Sequence, residues 1–167
     1  WDLHIRKAGL VQQLRREGAP ICGVTVSAGV PELKEAVALL DELNGEGLWL
    51  NAFKPGSVEQ IRQVCAIAQA APQHRVFVHV EGGRAGGHHS WEELEQLLLE
   101  TYHQLRACEN VVLCVGGGIA TPERGVELLT GRWSVKHGQP EMPVDALLLA
   151  TVTMAAREAT ATRSVKE

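Results

Sequence analysis

No apolar run in this 167-residue sequence approaches the roughly 20 residues needed to cross a bilayer; the longest, such as Val111–Val115 and Ala146–Ala150, fall far short. No charged-then-apolar leader opens the chain, so the reading is of a protein that is neither inserted in a membrane nor exported. A basic excess is lacking too. Sixteen Lys and Arg stand against twenty Asp and Glu, a net charge of −4, with no cluster suited to tracking a phosphate backbone, and nucleic acid is not an expected partner. CxxC spacing is absent. Cys22, Cys65, Cys108 and Cys114 lie singly in apolar or helical patterns, which reads as reduced thiols, mostly core filler, in a cytoplasmic setting.

What is present is ordinary for a globular domain: 45% apolar and 22% charged residues, in a length that suits one compact unit with a real core. Glycine is the exception. Seventeen glycines make up about a tenth of the chain against a usual ~7%, and they gather at Gly82–Gly87 and Gly116–Gly118. The chain also opens at Trp1 and runs directly into a helical pattern, which reads as a segment of something longer.

Helix and strand signals alternate. Trp1–Glu17 carries Leu3, Leu10 and Leu14 at helical spacing and is stopped by Gly18-Ala19-Pro20. Ile21–Val26 reads as a buried strand. Pro31 suits a first helical turn, with Leu33, Val37, Leu40 and Leu43 as the apolar stripe and Asn44-Gly45 as the stop. Leu48–Phe53 is the next strand, and a Ser57/Gln60 capping box introduces a helix over Val58–Ala70. Arg75–Val80 is a third strand. A Ser90/Glu93 capping box opens Trp91–Ala107, and Val111–Val115 is a fourth strand. Thr121 as cap and Pro122 at the first position begin a helix to Leu129. A polar excursion over Gly131–Pro143 leads to a fifth strand, Val144–Ala150, and a last helix near Val152–Ala159.

Continuous apolar strands alternating with helices imply an α/β fold with parallel strands buried on both faces. The glycine clusters follow the third and fourth strands and not the first, which favours a (β/α)8 TIM barrel over a doubly wound dinucleotide fold. A closed barrel needs eight strands. The expectation is therefore the C-terminal part of a barrel, about five βα units, with three N-terminal units missing and residues 1–167 forming one partial domain.

Two loops could carry chemistry. Glu81–Ser90 follows a strand, so it lies at the C-terminal face where barrel enzymes keep their sites. Its glycines, Gly86 and Gly87 among them, let backbone approach a flat ligand, and His88 and His89 can give or take a proton near neutral pH. A flexible turn with two solvated imidazoles is the plain alternative, and a double histidine at a βα junction weighs against it. Gly116-Gly117-Gly118 runs to a helix start, where exposed amides make a phosphate cradle. Its natural companion in a barrel is the region around Ala150-Thr151. Lys54 closes the second strand and could bring an ammonium to the same face, where it would favour an anionic ring or phosphate, or simply be solvated. A zinc site from His79, His88, His89 and His103 lacks an acidic or thiolate ligand at convincing spacing, and no metal is expected. His4, His74 and His137 read as surface residues.

The strings FKPGSVEQIRQV, GGRAGGHHSWEEL, CVGGGIATPERGVELLTGRW and MPVDALLLAT closely resemble the enoyl reductase region of type I fatty acid synthases, those of mycobacteria and corynebacteria and the fungal beta subunits. The resemblance runs over nearly the whole chain. AGGH also resembles flavin-dependent bacterial enoyl reductases and nitronate monooxygenases, which share an FMN-binding barrel. What the resemblance implies is bound FMN, reduced by NADPH, serving to reduce a trans-2-enoyl thioester carried on an acyl carrier protein. It implies a cytoplasmic multienzyme, homo-oligomeric when whole, whose other domains are partners. By residue it matches His88 to the histidine beside the flavin, the first choice for proton donor, with His89 second because a helix start could point either inward, and Gly116–Gly118 to the phosphate loop. Lys54 matches the family's post-strand lysine, and Ala150-Thr151 matches a Gly-Thr pair, Ala150 being a departure that adds a methyl group near phosphate. A free-standing nitronate monooxygenase-like oxidoreductase and a non-catalytic structural fragment are the alternatives.

Overall fold

In the computed structural model, which describes residues 2–166, five strands form one sheet. They are β1 (Gly23–Val26), β2 (Leu50–Phe53), β3 (Val76–Glu81), β4 (Val111–Gly116) and β5 (Ala146–Leu148). Every neighbouring pair is parallel, and the order across the sheet is the order along the chain. An unbroken sequential order has no switch point, so the winding is that of a barrel arc and not of an open doubly wound sheet.

The connecting helices are α1 (Leu10–Arg16) before β1, then α2 (Leu33–Gly45), α3 (Val58–Ala70), α4 (Leu94–Arg106), α5 (Pro122–Thr130) and two one-turn pieces, α6 (Thr151–Met154) and α7 (Arg163–Lys166). Strand side chains alternate between faces, so register decides what each face carries. Val76, Val78, Val80, Leu113 and Val115 share one face, are fully buried, and form the core with Leu39, Leu40 and Leu43 of α2, Ile61, Val64 and Ile67 of α3, and Leu97, Leu98 and Leu105 of α4. The other face carries Leu50, Ala52, Phe77, His79, Glu81, Val112, Cys114, Gly116, Ala146 and Leu148 in register. It is less covered: Phe77, Val112, Cys114 and Ala146 are half-buried and Leu148 is exposed.

Several boundaries differ from the sequence reading, each for a local reason. The first helix is not continuous. A π-helical stretch over Asp2–Lys7 is parted from α1 by Gly9, whose φ of 57° is left-handed, and Trp1 lies outside the described residues. Pro31 precedes α2, whose cap is Glu32. At α3, Ser57 Oγ accepts from the Gln60 amide at 3.2 Å as expected, but Gln60 reaches back to the Gly56 amide at 2.7 Å. The Ser90/Glu93 box does not form. Ser90 is buried and its hydroxyl donates to the Glu92 carboxylate, so the chain turns there and α4 begins at Leu94, leaving Trp91 95% exposed.

β5 is shorter than expected because Asp145 takes the ladder position with its side chain, its carboxylate accepting from the Leu113 amide at 2.7 Å. Arg106 then holds the same carboxylate at 2.7 Å. The excursion before it is no open loop: Arg132–His137 winds as a 3-10 helix and buries Trp133, whose indole donates to the Met142 carbonyl at 2.7 Å. The last helix is cut to α6. Cys65 and Cys108 are buried, as core filler should be, while Cys22 is exposed and Cys114 half-buried; all four are free thiols.

Glu95 ties three elements together. From the first turn of α4 it accepts from Arg124 of α5 at 2.7 Å, and from Lys136 at 2.9 Å and His137 at 2.7 Å in the 3-10 segment. His137 is thus a partner in this cluster, and His74 likewise bonds Asp41 at 2.6 Å instead of standing alone at the surface. Burial by itself raises the Glu95 carboxyl, but the bonds from Lys136, His137 and Arg124 outweigh it and pull the pKa down to about 2. A depressed carboxylate stabilises the fold fully above its ordinary value near 4.5 and loses that contribution as pH falls toward about 2. Glu95→Gln should therefore weaken this corner by about 2 kcal/mol at neutral pH and by little near pH 2. Native-state hydrogen exchange of the α5 amides reads this, and equal exchange in both proteins at neutral pH would contradict it.

Candidate active site

The C-terminal ends of β1 to β5 and the loops that follow them bring most of the expected residues to one side of the sheet. The glycine-rich loop is closed at its neck, where the Ser90 amide donates to the Glu81 carbonyl at 3.1 Å and the Gly83 amide to Glu92 at 2.9 Å. Gly82 lies against the start of α4, where a Cβ would meet the Leu94 nitrogen at 2.4 Å. Gly86 and Gly87 are exposed, with open space at the Cβ position of each; Gly87 uses glycine for its φ of 75°.

A cavity of about 580 Å3 opens between this loop and the ends of β4 and β5. Gly86, Gly117, Gly118, Ala150 and Thr151 all line it, with Glu81 also in its wall. β4 and β5 are direct neighbours, Gly116 opposite Leu148, which is why their two loops meet. Gly117 has φ 92°, and a Cβ there would meet the Gly82 carbonyl at 2.9 Å. Ala150 has a negative φ of −117°, so no left-handed conformation calls for glycine there. Gly116 has a different reason to be glycine. It lies beneath the cavity, where a Cβ would meet His79 Nε2 at 3.1 Å and Glu81 Oε1 at 3.2 Å. The α5 N-terminus is satisfied by its own cap, Thr121 Oγ1 accepting from the Arg124 amide at 3.3 Å.

Lys54, His88 and His89 line a second, smaller cavity of about 190 Å3, with Ala28, Gly29 and Gln60. Lys54 is mostly buried and ion-paired with Glu81. The pair therefore joins the two cavities, its carboxylate in the wall of one and its ammonium in the wall of the other. The two histidines differ. His89 Nδ1 lies 2.7 Å from the Ser90 carbonyl, an acceptor only, so Nδ1 must carry the proton and Nε2 of the neutral ring is left as an acceptor. His88 is exposed and bonded at neither nitrogen, free to donate from either.

Three residues escaped the sequence reading. Glu81 was placed just past the third strand, yet it is the strand's last residue and is buried. His79 was weighed only as a zinc ligand; it is buried 3.7 Å from Glu81. Two polar residues at i and i+2 in an otherwise apolar strand were the available signal, because that spacing puts both on one face. Ala28, at φ 60°, is the one non-glycine residue at positive φ among those described, and it lines the histidine cavity. No sequence cue marked it. Among the described residues no cluster of three His, Cys, Asp or Glu could hold a metal, and no helix is long and apolar enough to cross a membrane.

The sequential parallel sheet, helices packed on one face and loops gathered at the C-terminal strand ends define the class: five βα units of a partial (β/α)8 barrel. A mutant FabK from Thermotoga maritima has a similar fold, with a TM-score of 0.61 and 19% identity over 95% of this chain and 44% of that one. Residues 75–167 match the family described as fatty acid synthase subunit beta/Fas1-like, helical. The chain is 44% identical over 155 residues to fatty acid synthase 2 of Mycosarcoma maydis, covering 93% of this chain and 4% of that protein. It is 40% identical over 158 residues to fatty acid synthase subunit beta of Schizosaccharomyces pombe, covering 95% and 8%. The chain belongs to the fatty acid synthase subunit beta family, and spans only 4–8% of the length of these relatives.

Proposed function

We propose that these residues form the FMN-binding part of an NADPH-dependent enoyl-[acyl-carrier-protein] reductase within a type I fatty acid synthase. The observation that carries this reading is the meeting of Gly86, Gly117, Gly118, Ala150 and Thr151 around one cavity of about 580 Å3 at the C-terminal strand ends. Its size is in the range of cofactor sites, roughly 300–1,000 Å3, and side-chain-free backbone beside a hydroxyl suits a phosphate and a flat ring. The residues present fit FMN. Gly117, Gly118 and Thr151 would hold its phosphate and Gly86 would approach its ring, with Gly87, outside the cavity wall, turning the loop, while Gly116 lies against the buried row of His79 and Glu81.

When bound, FMN would pass electrons from NADPH to the β-carbon of a trans-2-enoyl thioester. The chain's own contribution is position and charge. Negative charge that develops on the thioester oxygen needs a donor, and His88, exposed and untied, can supply a hydrogen bond there or a proton at the α-carbon. His89, its Nδ1 tied to the Ser90 carbonyl, has only Nε2 left to use, which suits orientation better than donation. Lys54 brings a cation to the same small cavity. The acyl carrier protein, the other synthase domains, a homo-oligomeric assembly and a cytoplasmic setting belong to the same reading.

The intact protein should purify with the absorbance bands of bound flavin and reduce enoyl thioesters with NADPH. Gly117→Ala, which forces an L residue to φ 92° and against the Gly82 carbonyl, should weaken FMN by roughly tenfold or more. A colourless intact protein that takes up no added FMN would overturn the proposal.

A further inference from the structure

From the walls of the two cavities down into the sheet, three ionisable side chains stand in a row. Lys54 at the end of β2 is paired with Glu81 at the end of β3, and His79, two residues earlier, faces the other carboxylate oxygen at 3.7 Å. His79 is more than nine-tenths buried and its Nε2 has no hydrogen-bond partner. The remaining titratable neighbour on that face is Cys114 of β4, opposite His79 in register, and burial and then Glu81 push its thiol up to about 11, so it stays neutral. Gly116, also on β4, leaves the space into which Nε2 projects. Arg84, in the wall of the larger cavity, is paired with Glu93 at 3.0 Å.

We infer that His79 is a positioning residue for Lys54: through Glu81 it sets where the ammonium stands, and it takes up a compensating proton when an anionic ligand draws that ammonium away. The inference rests on the proposed binding of FMN, and on reading Lys54, in the wall of the smaller cavity and joined through Glu81 to the larger, as a contact for the anionic part of that cofactor. With the ammonium on Glu81, the carboxylate is neutralised and burial keeps the imidazole deprotonated, its pKa lowered chiefly by desolvation. When the ammonium turns to a ligand, the buried carboxylate is left alone, which is costly. A proton from water then binds His79 Nε2, forming the N–H that Glu81 can accept. The fixed charge of the row is kept, and ligand binding becomes linked to proton uptake.

FMN itself is the probe, titrated into the intact protein stripped of flavin, between about pH 5.5 and 8. Calorimetry in two buffers of different ionisation heat should show net proton uptake on binding in the wild-type protein. His79→Gln keeps a donor near Nε2 but cannot titrate. Its FMN affinity should match wild type near pH 8, while wild type gains up to about tenfold per unit as pH falls relative to the variant; titration of the FMN phosphate cancels in that ratio. His79→Leu should bind FMN more weakly throughout, and rescue by Gln separates positioning from bulk packing. Parallel pH curves for wild type and His79→Gln, with no excess proton uptake, would overturn the inference while Lys54→Met still weakens FMN. Failure of the wild-type protein to bind FMN at any pH would instead remove the reading beneath it.

Discussion

His88→Ala should leave flavin bound and slow enoyl reduction by roughly 10²–10⁴-fold, the span expected when a general acid is lost. The size follows from what can replace it. His89 is tied through Nδ1 to the Ser90 carbonyl, and the Lys54 ammonium is engaged by Glu81 or, once the cofactor is bound, by that ligand. Water is the remaining donor, and the small cavity opens to it through the exposed imidazole itself. Reduction of the flavin by NADPH requires no proton at the substrate and should change little. Stopped-flow measurement of the two half-reactions separates them. An equal loss in both, or a loss confined to His89→Ala, would move the role elsewhere. His89→Ala should have a smaller effect, because it removes an orienting contact and the edge-to-face partner of Trp91, whose ring centroid lies 6.4 Å away.

The alternation of strands and helices was legible because each buried strand is a continuous apolar run and α2, α3 and α4 carry unbroken apolar stripes. Legibility ended where a side chain replaced a backbone partner. Asp145 stands in for a ladder bond, Ser90 turns onto Glu92 where a cap was expected, and Trp133 hides in a stretch whose composition is polar. None of these exchanges has a periodic signature. The same division holds at the site. Glycine clusters and paired histidines stand out in a sequence, so both loops are legible there as candidates. The Lys54–Glu81–His79 row joins residues from two strands, and only the register of β2, β3 and β4 brings them onto one face. Gly116 shows the reverse case: a residue that stands out for one reason has a second, since buried side chains beside it crowd a Cβ there whatever binds above.

Expressed alone, residues 1–167 should associate and bind FMN poorly. The sheet is open among the described residues, with β1 paired only to β2 and β5 only to β4, so two rows of backbone donors and acceptors are left at the edges. The face away from the helices adds an apolar surface. Trp49 is 51% exposed and packs at a tilt against half-buried Phe77 with ring centroids 6.3 Å apart, Leu148 is 41% exposed, and Leu50 and Val112 are only partly covered. At about 25 cal/mol per Å2, a few hundred Å2 of such surface left in water forfeits on the order of 5–10 kcal/mol, comparable to the whole stability of a domain. Self-association recovers part of it by covering the patch and pairing the edges. The ligand side suffers separately, because the larger cavity is walled by residues of the 81–86 and 117–120 loops and the 148–155 segment and open beyond them, so a flat ring would be held from one side. Light scattering, flavin content and a melting curve test this together. A monodisperse monomer with stoichiometric FMN and one sharp transition would show instead that five strands close on themselves well enough to do without a covering layer.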